Sequence, residues 1–504
     1  MASRDDMPTG VPPGLDSASL APGKWILICL GLYLVRVMPW ALSELWHDEV
    51  ITLGDFVLGP QGRGPLHVFR AYPVANNHVL FSAFGWWWVR FLGFSTEEYL
   101  LRLPCIAFGA LVIVVAVRWW RRWLGAELSC VAGVTLAISP VFGAFASEFR
   151  GYSLTMLLSG LAATGLAEFC DGRTRRGLWL QIGALMLLPL VIPSNVFLGL
   201  SHALFLLLWP GWQVGRRARL GAAAAVAGAA AVGMSFYLTI WDQFVKVINE
   251  TTGWHSGLMV LTAVAVGVVA HLGLVGFVLP VAAFRRRPVT PGESVDRSWG
   301  LTYAGCLAVP ILATALGEYR NAPFPRVYLL YLVPLTFAAF RSLQALGASP
   351  RKALLLWVGL SVVVGFAWER ACAFRTEQAV GRGEHPQDLL QQYYRGRVDL
   401  RGLAAMVAGD DGPADGVVLT DAYDFPTFRY YWAQFGRKPE SVFAENRLPE
   451  ALWSRLRGLD GISLHAVAGN EIEAARLFAA AGAPGPFVPG PVCGARRFYT
   501  LLPQ

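Results

Sequence analysis

The sequence predicts an all-α polytopic membrane protein of about eleven spanning helices, with juxtamembrane helices in its first outer loop and a small C-terminal α/β domain outside the membrane. Three observations predict it. Of the 504 residues, 55% are hydrophobic and only 15% are charged, against roughly 25% charged in an ordinary globular chain. Apolar runs approaching the ~20 residues needed to cross a bilayer recur through the first three quarters of the chain. Small arginine clusters fall between alternate runs. One soluble core cannot bury so much apolar surface, since cores stop growing near ~250–300 residues, so lipid must act as solvent. A mean hydropathy of +0.46 also excludes a disordered chain. The seven cysteines lie mostly in apolar runs without metal or redox spacing; reduced, buried thiols are expected. The net charge of +8 sits in loop clusters and does not read as nucleic-acid binding.

In chain order, residues 1–23 are polar and rich in Pro, Gly and Ser, a disordered tail. The run 25–42 is too long for a signal-peptide core and no small-residue cleavage site follows it, so it is a retained span. Further runs begin near His78, Leu103, Ala126, Ser153, Gly177, Asn195, Ala218, Gly257, Trp299, Val327 and Ala353, twelve in all. Arginine clusters follow the third run (Arg118, Arg121, Arg122), the fifth (Arg173, Arg175, Arg176) and the seventh (Arg216, Arg217, Arg219). Others follow the ninth (Arg285, Arg286, Arg287) and the eleventh (Arg341, Arg351, Lys352). Being two runs apart, they share one face, which the positive-inside bias makes cytoplasmic.

One run is a poor crossing. Segment 78–94 is short and carries Arg90 with three consecutive tryptophans. Tryptophan prefers the headgroup level, so this is an interfacial helix on the outer face. Eleven crossings remain, with a cytoplasmic N-terminus and an extracytoplasmic C-terminus. The membrane domain is 24–372, with a first outer loop at 44–102; the polar segment 242–256 joins the outer face. The alanine run 222–231 reads as a tightly packed helix face. Composition changes at 373. A β-type run at 417–419, an aromatic-rich stretch at 428–432, a helical 471–480 and a strand at 497–502 make 373–504 a small α/β domain.

No phosphate-cradling glycine loop, paired-histidine zinc motif or nucleophile elbow occurs in the sequence. The remaining signal is ionisable residues at the outer face. Asp48 and Glu49 follow span one; adjacent carboxylates there repel each other and are costly to desolvate, though acids also favour a first helical turn. Glu148, Arg150 and Tyr152 surround a tight turn, where an acid and an arginine can equally form a local ion pair. His78, after Asn76 and Asn77, starts the interfacial helix, and Arg102 lies beyond its far end. Glu318, Tyr319, Arg320 and Arg326 precede the eleventh run. Outer-face arginines run against the positive-inside bias, and an anionic partner such as a lipid phosphate accounts for them. Acids and arginines together at one bilayer face suit an anionic lipid substrate and a general base.

The stretches LWHDEVITL (45–53), NNHVLFSAFGWWW (76–88), LRLPCIAFGAL (101–111), SEFRGYSLTMLLS (147–159) and PRVYLLYLVPL (325–335) resemble the polytopic GT-C glycosyltransferases. That superfamily uses polyprenyl-phosphate sugars and includes protein O-mannosyltransferases and the aminoarabinose transferases of lipid A. The resemblance spans 24–345 and implies a GT-C fold in a bacterial inner membrane. It implies Asp48 as general base, Glu49 beside it and Glu148 as a further acid. It implies that His78, Arg102, Arg150, Tyr152 and Arg326 meet the donor, with Arg102 and Arg326 on its phosphate. The implied donor is a polyprenyl-phosphate monosaccharide and the acceptor a hydroxyl of a glycan, lipid or protein, transferred with inversion at the outer face. Two departures stand out: His78-Val79-Leu80 replaces the frequent His-Pro-Pro, and Asn195 stands near where many relatives carry histidine. The second weakens the case for a divalent metal, and no other cofactor is implied. The alternative is a lipid-linked glycan transporter or flippase. Such proteins place charges near the midplane and often repeat their halves; here the charges sit at one face without an internal repeat.

Overall fold

The computed structural model describes residues 22–59, 64–72, 77–209, 214–251, 257–272, 291–316, 325–345, 350–381, 399–409, 416–421, 424–444, 463–493 and 496–502. All twelve apolar runs are helical. The chain begins with α1 (Pro22–Ala41), α2 (His47–Ile51) continued by a π-helical turn at Thr52–Leu58, α3 (Val79–Phe91) and α4 (Glu98–Val114). Then come α5 (Arg121–Ile138), α6 (Pro140–Ala146), α7 (Tyr152–Cys170), α8 (Thr174–Val191), α9 (Val196–Leu208), α10 (Arg216–Ser235) and α11 (Trp241–Thr251). The bundle closes with α12 (Gly257–Leu272), α13 (Pro291–Leu316), a 3₁₀ stretch Pro325–Tyr331, α14 (Leu332–Ala345) and α15 (Pro350–Gly381).

Among the described residues, four helices are by themselves long and apolar enough to cross a membrane: Gly23–Ala41, Glu98–Trp119, Tyr152–Cys170 and Arg216–Val247. Arg121–Ile138 with Pro140–Ala146, bent by 64°, is a fifth candidate, and Pro193–Leu208, Gly257–Leu272 and Trp299–Ala313 are shorter apolar helices. By that measure fewer helices qualify than the eleven expected.

Local chemistry shapes the end of the bundle that matters. The α5–α6 bend falls at Ser139-Pro140: the Phe142 amide donates to Ser139 Oγ at 3.1 Å, and Pro140 opens the new helix. A hydroxyl cap followed by proline is the usual way to start a helix. Helices α7 and α8 touch backbone to backbone. A Cβ on Gly177 would lie 2.5 Å from Phe169 N, so only glycine permits this approach. The α3 helix is amphipathic: Phe81 and Val89 are buried, while Trp87 and Phe91 stand exposed.

Two expectations change. The polar segment 242–256 is not a plain connection: α11 carries the helix to Thr251, with Phe244 and Val247 packed on Tyr72 and Tyr237. The compositional boundary at 373 falls inside α15, which runs to Gly381. Asn76, Arg285, Arg286, Arg287, Glu318, Tyr319 and Arg320 lie outside the described residues. All seven cysteines are free thiols, six of them buried, as expected.

The C-terminal domain adds α16 (Leu400–Gly409), β1 (Val417–Thr420), α17 (Asp424–Gln434), β2 (Val442–Ala444), β3 (Leu464–Ala468), α18 (Glu471–Ala480), β4 (Phe487–Cys493) and β5 (Arg496–Leu501). The sheet order is β2-β1-β3-β5-β4. β1 pairs parallel with β2 and β3, and β5 runs antiparallel to β3 and β4. One face of the sheet packs with α18 through Leu419, Ala466, Leu477 and Tyr499. The other shares one apolar core with α16, α17 and the first outer loop, in which Val418, Leu403 and Trp432 join Leu45, Val50, Phe81 and Phe149.

Candidate active site

The site forms where α1 ends and α2 begins. The last carbonyls of a helix have no intrahelical partner. Here Arg102, on the second turn of α4, collects them. Its Nη1 donates to the carbonyls of Trp40 (2.9 Å), Ala41 (3.1 Å) and Ser43 (2.5 Å), and Nη2 to that of Glu44 (2.7 Å). The same guanidinium grips Glu49 as a fork, Nε to Oε1 at 2.9 Å and Nη2 to Oε2 at 2.7 Å. Glu49 also accepts from the amides of Trp46 (2.7 Å) and Phe149 (2.6 Å). Both side chains are wholly buried. This carboxylate therefore starts α2 and ties it to the 147–151 turn, and the fork is consumed inside the protein. Arg102, expected to meet a phosphate, instead fastens the α1–α2 corner.

Asp48 is Glu49's neighbour but faces another way. Its Oδ2 accepts from Arg150 Nη1 at 2.7 Å and from Arg326 Nη1 at 3.0 Å. Arg150 Nη1 also donates to the Tyr152 hydroxyl at 2.9 Å. His78 stands edge-on to Tyr152, ring centroids 5.1 Å apart. Its Nδ1 accepts from the Gly151 amide at 2.8 Å. Gly151 has to be glycine here, since a Cβ would lie 2.4 Å from Val191 Cγ1 and 2.9 Å from that nitrogen.

Burial, followed by the Arg150 charge, holds the His78 pKa well below the ordinary histidine range, so its ring is neutral. A neutral imidazole has one lone pair. The Gly151 amide takes it, so Nε2 bears the proton and meets Arg150 Nη2 donor to donor at 3.1 Å.

The structure thus gathers seven of the eight expected residues into two connected layers. Glu49 and Arg102 form the inner one, fixing backbone. Asp48, Arg150, His78, Tyr152 and Arg326 form the outer one. The eighth, Glu148, is buried in the same turn, its carbonyl accepting from the Arg150 amide at 2.6 Å. Of the outer layer, Arg326 is the most open, with 21% of its side chain exposed. Among the described residues no three His, Cys, Asp or Glu side chains converge as a metal would require. Guanidiniums flank Asp48 and repel a cation, so the described residues do not fit a divalent metal.

Sequence reasoning missed four residues beside the site. Glu98 accepts both oxygens' worth of hydrogen bonds from Arg401 Nη1 (2.8 Å each) and one from the Tyr431 hydroxyl (3.0 Å). Glu44 accepts from the amides of Asp399 (2.8 Å) and Arg401 (3.0 Å) at the start of α16. The one available signal was Glu98 lying four residues before Arg102, on the same helix face.

No family model and no curated protein matches the chain. Solved structures do. ArnT from Cupriavidus metallidurans bound to undecaprenyl phosphate is 14% identical, covers 96% of this chain and 100% of its own, and superposes with a TM-score of 0.57. The apo state of the same protein gives 14% identity, 96% and 99% coverage and a TM-score of 0.57. At this identity the likeness is one of fold, and it extends over the C-terminal domain as well as the bundle. The GT-C resemblance read from the sequence is borne out in the fold.

Proposed function

We propose that the protein is a membrane glycosyltransferase that moves a monosaccharide from a polyprenyl-phosphate donor to an acceptor hydroxyl at the outer membrane face. The observation that carries this reading is the Asp48 carboxylate held between Arg150 and Arg326 at the bundle end. Such a group can serve both ends of a displacement, a base for the acceptor and cations for the leaving phosphate. The ArnT structure with undecaprenyl phosphate, on the same fold, supports the lipid-phosphate donor.

Asp48 Oδ2 receives the acceptor hydroxyl proton as that oxygen attacks the anomeric carbon. The bond from that carbon to the phosphate oxygen breaks, and its electron pair leaves on the lipid phosphate. Single displacement inverts the configuration. In the free protein two guanidiniums compete with a proton for Oδ2. A donor phosphate recruits them and so releases the base as the substrate arrives. Charge-assisted hydrogen bonds of this kind are each worth about 1.5–3 kcal/mol. Glu49 and Arg102 hold the backbone that carries Asp48, and Tyr152 fixes the Arg150 guanidinium.

The deciding experiment incubates the purified protein with a panel of polyprenyl-phosphate sugars and an acceptor extract, and measures free lipid phosphate. Release from at least one donor is expected, falling about 100-fold or more in Asp48→Asn, since positioned proton transfer contributes 10²–10⁴-fold. No release from any donor, with lipid-linked glycan crossing the bilayer instead, would establish the transporter alternative.

A further inference from the structure

We propose that the C-terminal domain is part of the catalytic unit: through Tyr431, Arg401 and Glu98 it sets the position of the corner from which Asp48 projects. This inference rests on the transferase reading.

The corner, residues 42–46, has almost no regular structure of its own. Several of its polar backbone groups are nevertheless matched. Arg102 takes the carbonyls of Ser43 and Glu44, and Glu49 takes the Trp46 amide. The amide between them, Leu45 N, donates to the Tyr431 hydroxyl at 2.6 Å. Tyr431 belongs to α17, 386 residues away in sequence. Its hydroxyl donates onward to Glu98 Oε1, which Arg401 also grips. Burial, and then the Glu98 charge, push the Tyr431 phenol upward in pKa, so it stays protonated and holds both roles.

Glu98 and Arg102 are one helical turn apart on α4. The turn therefore presents a carboxylate to the C-terminal domain and a guanidinium to the corner. A second tie runs from the corner itself, where the Glu44 carboxylate caps the start of α16. The apolar contacts agree, since Leu45 and Val50 share their core with Leu403, Phe428 and Tyr431. Tyr431 and Arg401 are positioning residues, acting through the corner.

The test uses the full-length protein in lipid nanodiscs. Tyr431→Phe removes one hydroxyl and leaves the Leu45 amide without its acceptor. A misplacement of about 1 Å at a reacting group costs up to ~100-fold, so kcat should fall between about 10- and 100-fold. Affinity for the lipid donor should hold, because the phosphate-facing arginines are untouched. In a double-mutant cycle, Tyr431→Phe should add little to Asp48→Asn, since both act through one carboxylate. Hydrogen exchange of peptides covering 43–53 should rise in the variant. Arg401→Ala, at a side chain 44% exposed, repeats the test should Tyr431→Phe fail to fold.

Normal kcat and unchanged exchange in folded variants overturn the coupling. So does a loss fully multiplicative with that of Asp48→Asn. If the unaltered protein transfers nothing from any donor, the transferase reading fails on its own. Exchange at 43–53 then still decides whether the domain holds the corner.

Discussion

Successive positions on a helix point about 100° apart, and that rotation divides two adjacent acids into different tasks. Glu49 turns inward and is used up by Arg102 and two amides. Asp48 turns toward two arginines that a ligand can draw away. The two should respond differently to loss of charge. Glu49→Gln leaves the fully buried Arg102 guanidinium uncompensated, and breaking a buried pair in this way costs about 3–5 kcal/mol. It should lower the thermal midpoint sharply and reduce the yield of folded protein. Asp48→Asn should keep the fold and lose turnover. A Glu49→Gln protein as stable as its parent would show that the inner layer is not structural. Arg102→Lys should resemble Glu49→Gln, because lysine cannot supply the fork. At this scale the sequence named the participants but not their pairings. Asp48, Glu49, His78, Arg102, Arg150 and Arg326 were all legible as outer-face polar residues. An outer-face arginine suggests a phosphate; the carbonyls at the end of α1 compete for it equally well, and no spacing in the sequence reveals that they are within reach.

Elements were legible where one physical demand dominates. Each apolar run became a helix because a segment in lipid must satisfy its own backbone. The β1, α18 and β5 segments followed from alternation and periodicity. The α11 helix was missed because its apolar face is narrow, resting on Phe244 and Val247. Among the strands, β2 has only three residues and β4 carries Pro489 and Pro491 on a mostly exposed edge, so neither gives a strand pattern. The parallel strands also create a feature that sequence could not show. Beyond the ends of β1 and β3, Asp421, Asp424 and Glu473 surround Arg496. Burial, opposed by Arg496, pushes Asp424 up to about 7. The folded state then holds a proton that the unfolded chain releases near pH ~4, so stability falls as pH rises from about 4 to about 7. Glu473, also raised by burial, adds to that slope. His465 opposes it: burial pushes it down to about 4, so folding excludes a proton and stability rises between pH ~4 and ~6.5. His465→Asn should uncover the carboxylate slope, with a lower melting temperature at pH 7.5 than at pH 5. Adding Asp424→Asn should flatten it. No fall with pH in the single variant would mean that the cluster keeps no proton.

At the scale of the whole molecule, contacts between distant elements order the ends of the helices. Arg102 near the start of α4 binds carbonyls at the end of α1, so those two ends lie together and α3 between them is no passage through the bundle. At 13 residues and 1.5 Å per residue, α3 is only about 20 Å long, well short of a ~30 Å hydrocarbon layer. The start of α7 joins the same end through Arg150. The end of α8 does so through Tyr237, whose hydroxyl donates to the Pro189 carbonyl, and α11 through Gln243, which accepts from the Tyr72 amide. Arg326 brings the approach to α14, and Tyr431 the C-terminal domain. These helix ends therefore lie toward one end of the bundle, that of the site. The arginine-rich connections, from Arg173 to Arg176 and from Arg216 to Arg219, belong to the opposite end. On the positive-inside bias we propose that this end is cytoplasmic and the site external. Labelling with a membrane-impermeant maleimide tests this in intact cells. Cys493, the one thiol not buried, is first changed to Ser, which preserves a donor for Asp399. A cysteine at Ile472, 80% exposed on α18, should then be modified from outside. One at Arg217, exposed at the start of α10, should react only after permeabilisation. Because the C-terminal domain is tied to the corner that bears Asp48, labelling of Ile472→Cys locates the site as well as the domain. The opposite pattern would put the carboxylate and its arginines in the cytoplasm, where the arginine clusters could no longer be explained by the bias that orients the chain.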